Sequence, residues 1–172
     1  MSTRVPLPAH VGCYVCGTPD DDRIRVCYAW SPETDELLAE VRFGLGAQGP
    51  PLHAHGGSVA AVLDEAMGTC AWMHGHAVVA VHLDIDFREL VPLDQPLEAR
   101  CGVERVEGRK VHTRGTLVAD DGRVLTQARG IFVVVRAEKL QGFLPEALDH
   151  LSPVERYIVM HDTRARRASP PR

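Results

Sequence analysis

The sequence predicts an α+β domain in which one long central helix is wrapped by an antiparallel sheet of about six strands. Three observations point there. The middle of the chain holds a single good helix candidate, from Gly57 or Ser58 to His74, and it is apolar nearly all round, so it must be buried on most sides. The residues after it alternate apolar and polar at the period of a strand. No repeated strand, helix, strand order of a parallel sheet is present. The 172 residues, 45% hydrophobic and 24% charged, suit one domain with or without a tail. At this size folding removes roughly 70% of the unfolded surface from water, which is enough for a core without staples.

In chain order, residues 1–22 read as a loop segment, with Pro6, Pro8, Gly12, Gly17 and Pro19 followed by an acidic run. Residues 23–136 read as the domain proper. Arg23 to Trp30 and Glu36 to Phe43 form a hairpin of two alternating strands. Gly44 to Pro51 has three glycines and two prolines and is expected to be a loop without regular structure. The helix follows, with Ser58 or a glycine at its cap and Gly75 as its stop. Val79, Val81, Leu83, Ile85 and Phe87 are expected on the core face of the next strand, with Ala80, His82, Asp84 and Asp86 on the other. Leu97 to Val103, Arg109 to Ala119 and Arg123 to Val135 supply three more strands, the last two joined by an Asp-Gly turn. Residues 137–172 read as two short helices, Phe143 to Leu151 and Val154 to Met160, and a basic tail.

Charge and composition exclude several functions. With 19 Lys+Arg against 23 Asp+Glu and no basic stripe, nucleic acid is not the expected partner. The first residues hold no apolar stretch of leader length, no run is apolar enough to cross a bilayer, and five cysteines lack framework spacing, so a reduced, cytoplasmic setting is expected. Cys13 and Cys16, with His10 and Cys27, could be written as four zinc ligands, but a single Cys-x2-Cys without a matching second half leads us to expect no metal. Cys70 and Cys101 fall at core positions, and His74 and His76 sit at the helix end, where cations are favourable.

The chemistry concentrates at His53-Ala54-His55-Gly56-Gly57 and at Asp64. Glycines at a loop-to-helix junction either allow a tight turn or expose N–H groups that hold a carbonyl oxygen as it gains charge. Asp64 lies in an apolar helix, where a carboxylate is costly unless it is paired or used; it is either a base or a satisfied structural group. Eight residues of helix place Gly56 and Asp64 about 12 Å apart, too far to act on one bond. If both act together, they come from two copies of the chain related by a two-fold axis.

The run PLHAHGGSVAAVLDEAMG resembles the His-Gly-Gly, six residues, Asp signature of the hotdog-fold thioesterases, in particular the PaaI-like acyl-CoA thioesterase group. The LDIDF strand, EARCGVERVEGRKV, GRVLTQARGIFVVV and the early Cys-x-x-Cys-Gly are similar to that group too, over roughly residues 13–135. The resemblance implies hydrolysis of a fatty or aryl acyl-CoA by a homodimer or homotetramer, with no cofactor other than the CoA of the substrate. It implies that Gly56 N–H polarises the carbonyl, that Asp64 is base or nucleophile, that His55 braces the loop, that Gly57 and His82 help to bind the substrate, and that the Gly108-Arg109-Lys110 turn meets the nucleotide. The group's usual Ser or Thr on the next strand is Ala80 here, and His82, two residues on, is the expected partial substitute. Two rivals stay open, a hotdog enoyl-CoA hydratase and a non-catalytic acyl-CoA or lipid carrier.

Overall fold

The computed structural model describes residues 3–10, 12–17, 22–135 and 151–161. Its frame is one seven-stranded antiparallel sheet, with β1 (Val5–Pro6), β2 (Ile24–Ser31), β3 (Glu36–Phe43), β4 (Val78–Phe87), β5 (Leu97–Glu107), β6 (Lys110–Ala119) and β7 (Val124–Val134) in the order β1-β2-β3-β5-β6-β7-β4. Helix α1 (Gly56–Met73) packs against β3 to β7. Val62, Leu63, Met67, Cys70, Ala71 and Met73 of α1 are fully buried. Burying six such side chains stabilises the domain by about 1.5–3 kcal/mol for each large one, before entropy is counted. No helix among the described residues is long and apolar enough to cross a membrane.

The structure departs from the expectation in three places. The first is the N-terminal segment, expected as loop. Val5 pairs with Trp30, and Leu7, Val15 and Cys16 enter the core, so an extra short strand is added at the sheet edge. Apolar residues separated by prolines lack the alternation that marks a strand, which is why this one was illegible. The second is the Gly44 to Pro51 loop, which contains one turn of 3-10 helix at Leu45–Ala47. The third, and the most consequential, is β4.

Strand β4 lies at the edge, paired only with β7, and its register shifts between Ala80 and His82. Ala80 pairs with Phe132 and His82 with Ile131, successive residues of β7 that face opposite sides. The extra residue, Val81, therefore reverses the alternation within the strand. Val79, Val81 and Phe87, expected in the core, are 54%, 58% and 53% exposed, while Leu83 and Ile85 are half-buried.

At the other end, α2 (Pro153–His161) matches the expected short helix from Val154 to Met160. Ser152 Oγ accepts from the Glu155 N–H at 3.4 Å, and the Glu155 carboxylate accepts from the Ser152 N–H at 2.7 Å, a reciprocal cap. Buried Tyr157 donates its hydroxyl to the Pro8 carbonyl at 2.7 Å, which ties α2 to the N-terminal segment. The expected helix from Phe143, apart from Leu151, and the tail beyond His161 lie outside the described residues.

Candidate active site

The loop before α1 is folded to deliver His55. Its N–H donates to the Ala47 carbonyl at 2.8 Å, and the Ala54 N–H donates to Val91 at 2.8 Å. His55, and not Ser58 or a glycine, caps α1: its Nδ1 accepts from the Gly57 N–H at 2.9 Å. That contact assigns the proton of a neutral ring to Nε2. A side chain at Gly57 would stand 2.9 Å from that Nδ1, so the close approach requires glycine there. The bracing expected of His55 is thus visible. It also occupies the Gly57 N–H, so that donor is not free to bind substrate as expected of it, whereas no acceptor engages the Gly56 N–H among the described residues. The positive end of α1 adds to it. The Phe87 ring lies beside Gly56, 3.5 Å from where a Cβ would be.

Further along α1, Asp64 is half-buried, and its Oδ1 is buried with no hydrogen-bond partner among the described residues. Burial pushes its carboxyl above the ordinary range, because the charged form loses water. A cavity of about 280 Å³ opens beside it, walled by His10, Trp72, Val78, Ala80 and Phe132. The Trp72 indole N–H donates to the Val78 carbonyl at 3.1 Å and fixes the start of β4 there. Ala80 does line this cavity, so no hydroxyl from that position reaches Asp64. His82 does not line it. The bulge at Val81 puts it across the sheet, in a separate depression with Arg105, His112 and Arg129, which corrects the expectation that it shares a face with Ala80.

The Gly108-Arg109-Lys110 turn joins β5 to β6 at the same end of the sheet. Lys110 pairs with Val133, which pairs with Val79, so the turn sits two strands, roughly 10 Å, from the cavity wall. Arg109 is partly engaged: its Nε and Nη2 donate to the Val134 carbonyl at 3.3 and 2.9 Å. Lys110 is exposed. His74 serves the helix end, with Nδ1 2.8 Å from the Cys70 carbonyl and Nε2 3.0 Å from Asp35.

The neighbour of Asp64 was not singled out by its pattern. Glu65 is half-buried on the next face of α1, against Cys13 and Cys16 of the N-terminal segment. Burial, and then the Cys13 charge, pushes its carboxyl up to about 7. The Cys13 thiol is held down to about 3, chiefly by its hydrogen bond with Cys16, while the Cys16 thiol is pushed far up. Cys27 is exposed on β2 and takes no part. Cys70 and Cys101 are buried free thiols, as expected of core positions.

Sequence and fold comparisons agree with this architecture. The family described as Thioesterase superfamily matches residues 53–126, the span that contains Gly56 and Asp64. The acyl-coenzyme A thioesterase THEM4 of Rattus norvegicus is 33% identical over 97 residues, covering 56% of this chain and 42% of that protein. The chain therefore spans less than half the length of the curated relatives it matches. Among solved structures, the thioesterase superfamily protein RHA08564 superposes with a TM-score of 0.61 at 30% identity, covering 63% of this chain and 53% of that one. The PaaI protein of E. coli shares the fold, with a TM-score of 0.58 at 17% identity over 66% of this chain and 80% of that one. A hypothetical thioesterase of Streptococcus pneumoniae TIGR4, solved with coenzyme A, does so too, with a TM-score of 0.56 at 16% identity over 58% of this chain and 81% of that one. One long helix against an antiparallel sheet is the hotdog architecture that these solved thioesterases share. Residues 53–126 match the Thioesterase superfamily, and the chain shares the hotdog fold of these solved thioesterases.

Proposed function

We propose that the protein hydrolyses acyl-CoA thioesters to the free acid and CoA. The observation that carries this reading is the Asp64 oxygen, buried without a partner beside an apolar cavity. A carboxylate left unsatisfied in such a place costs about 1–3 kcal/mol or more, a cost that use in catalysis explains. In the proposed step the thioester carbonyl accepts from the Gly56 N–H. Asp64 removes a proton from water, which attacks the carbonyl carbon; alternatively, Asp64 attacks directly and expels the CoA thiolate, and water then cleaves the resulting mixed anhydride to free acid and Asp64, its proton passing to the thiolate. The tetrahedral oxyanion collapses, the carbon–sulfur bond breaks, and the CoA sulfur leaves with the proton. The THEM4 relatives are named acyl-CoA thioesterases, and the pneumococcal thioesterase holds coenzyme A, which supports the substrate class.

Two copies are needed, and β4 supplies a way to bring them together. Its ten residues form an edge with unpaired backbone groups and exposed Val79, Val81 and Phe87, a surface that invites another strand. The strand carries Val78 to Ala80 at the Asp64 cavity and Phe87 beside Gly56. Antiparallel pairing of two such edges across a two-fold axis puts the Gly56 end of one copy against the Asp64 end of the other. The same pairing removes the 12 Å separation. We place the CoA nucleotide at the Lys110 turn, two strands from the cavity wall. Thiol release from a panel of acyl-CoAs tests the reading: turnover of at least one is expected, and no turnover of any would overturn it. Ala80 favours a second reading, a carrier that binds acyl-CoA without cleaving it, which binding without thiol release would establish.

A further inference from the structure

The N-terminal segment and the middle of α1 meet at a cluster that hydrolysis does not use. One ring nitrogen of His10, the Sγ atoms of Cys13 and Cys16 and a carboxylate oxygen of Glu65 all lie within 4.8 Å of one another. Glu65 Oε1 is 3.3 Å from Cys13 Sγ and 3.6 Å from Cys16 Sγ. A tetrahedral zinc ion with Zn–S near 2.3 Å and Zn–O near 2.1 Å has sulfur-to-oxygen edges of about 3.6 Å, so these two edges are already of that length.

The turn around Cys13 is built for a thiolate. The N–H groups of Val15 and Cys16 both point at its Sγ, each at 3.4 Å. The loop is closed by His10 N–H to the Cys16 carbonyl at 3.2 Å and Cys13 N–H to the His10 carbonyl at 3.1 Å. Gly17 is required there, because a Cβ would stand 2.3 Å from the Cys13 carbonyl oxygen. Behind the cluster lies the Tyr28 hydroxyl, buried and without a hydrogen-bond partner among the described residues. Three acidic groups thus crowd a half-buried site with a histidine and no Lys or Arg among them.

We propose that His10, Cys13, Cys16 and Glu65 bind a structural zinc ion that clamps the N-terminal segment onto α1. Two thiolates and one carboxylate around a divalent cation leave the site with a net charge of −1, and binding displaces the Cys16 thiol proton to solvent. Four protein ligands leave no open position, which makes the ion structural and not hydrolytic. His10 and Glu65 also line the Asp64 cavity, so the clamp fixes one wall of it. Zinc is favoured over magnesium or calcium because two of the four donors are thiolates.

The test uses the full chain, reduced and freed of metal, titrated with Co²⁺ and then Zn²⁺. A thiolate-to-cobalt charge-transfer band and the strong visible bands of tetrahedral cobalt are expected at one equivalent, bleached by zinc. Cys13→Ser, Cys16→Ser and Glu65→Gln should each weaken binding by more than the roughly 10–100-fold that loss of an outer-shell partner costs. Cys27→Ser should leave binding unchanged. Absence of the bands in the wild type, their survival in Cys13→Ser, or isolation of the reduced protein with a Cys13–Cys16 disulfide and no metal would overturn the proposal. None of these readouts depends on thioester cleavage, so failure of the clamp and failure of the hydrolase reading are told apart.

Discussion

Replacing Gly56 by proline removes its N–H and sets the ring Cδ in place of that hydrogen. Gly56 is the first residue of α1, the one helical position where proline is favoured, since its N–H has no partner within the helix. The residue before a proline must be extended, and His55 already is, with φ −64° and ψ 136°. A Cβ at position 56 meets the Phe87 ring at 3.5 and 3.6 Å, an ordinary contact. Folding stability should therefore hold or rise by about 0.4–1 kcal/mol, through a stiffer unfolded chain. Loss of one oxyanion donor should lower kcat about 10²–10³-fold, or about 2.7–4 kcal/mol. Thiol release and urea unfolding, measured on the same preparation, separate the two effects. Mixing the variant with Asp64→Asn goes further. If each site draws Gly56 from one copy and Asp64 from the other, half of the randomly re-formed dimers carry one intact site of their two, so about one quarter of the wild-type activity should return. Undiminished kcat in Gly56→Pro would refute the donor, and mixing without recovery would refute the two-copy site.

Asp64→Asn should lower turnover about 10²–10⁴-fold without lowering the urea midpoint, because Oδ1 accepts no hydrogen bond among the described residues; a matching fall in stability would mark the acid as structural. Val81→Arg puts a bulky charge from each copy into the apolar seam of a paired β4 edge, where exposed Val79 and Val81 would otherwise leave water. It should yield a monomer in sedimentation, with hydrolysis lost and the fold changed by no more than about 0.5 kcal/mol. Lys110→Glu should raise KM roughly tenfold for CoA esters and leave pantetheine thioesters, which lack the nucleotide, unaffected; an equal effect on both would move the nucleotide elsewhere.

The helix and the edges of its site were legible because their signals are local. The apolar run from Val59 to Met73, the glycines before it and the acid within it are read from neighbours in sequence. So were the hairpins, where Asp-Gly at 121–122 set the turn between β6 and β7. What failed depended on partners far along the chain. The bulge in β4 exists only relative to β7, some fifty residues on, and Val81 has nothing in its own neighbourhood to show that it is the extra residue. The same holds for Cys13 and Cys16. Their spacing suggested half of a ligand set, and Cys27 was the nearest available fourth ligand; the group that closes the set is Glu65, brought in by the fold.

That carboxylate also bears on why α1 carries two acids in an otherwise apolar stretch. Successive helix residues project about 100° apart, so Asp64 and Glu65 cannot share one environment. Asp64 enters the substrate cavity, and Glu65 enters the thiol cluster beneath the N-terminal segment. A buried carboxylate needs compensation, and under the two proposals these acids find it differently: one in hydrolysis, the other in a bound zinc ion. The pairing has a mechanical consequence. The loop carrying His10 is fixed through Glu65 to the turn of helix that carries Asp64, so the cavity wall and the acid move as one body. Releasing the clamp with Glu65→Gln should therefore raise KM for the acyl-CoA through a loosened wall while leaving the sensitivity of kcat to Gly56→Pro unchanged, since the donor lies about 12 Å away at the start of the helix. Equal loss of both would mean that Glu65 takes part in the chemistry itself.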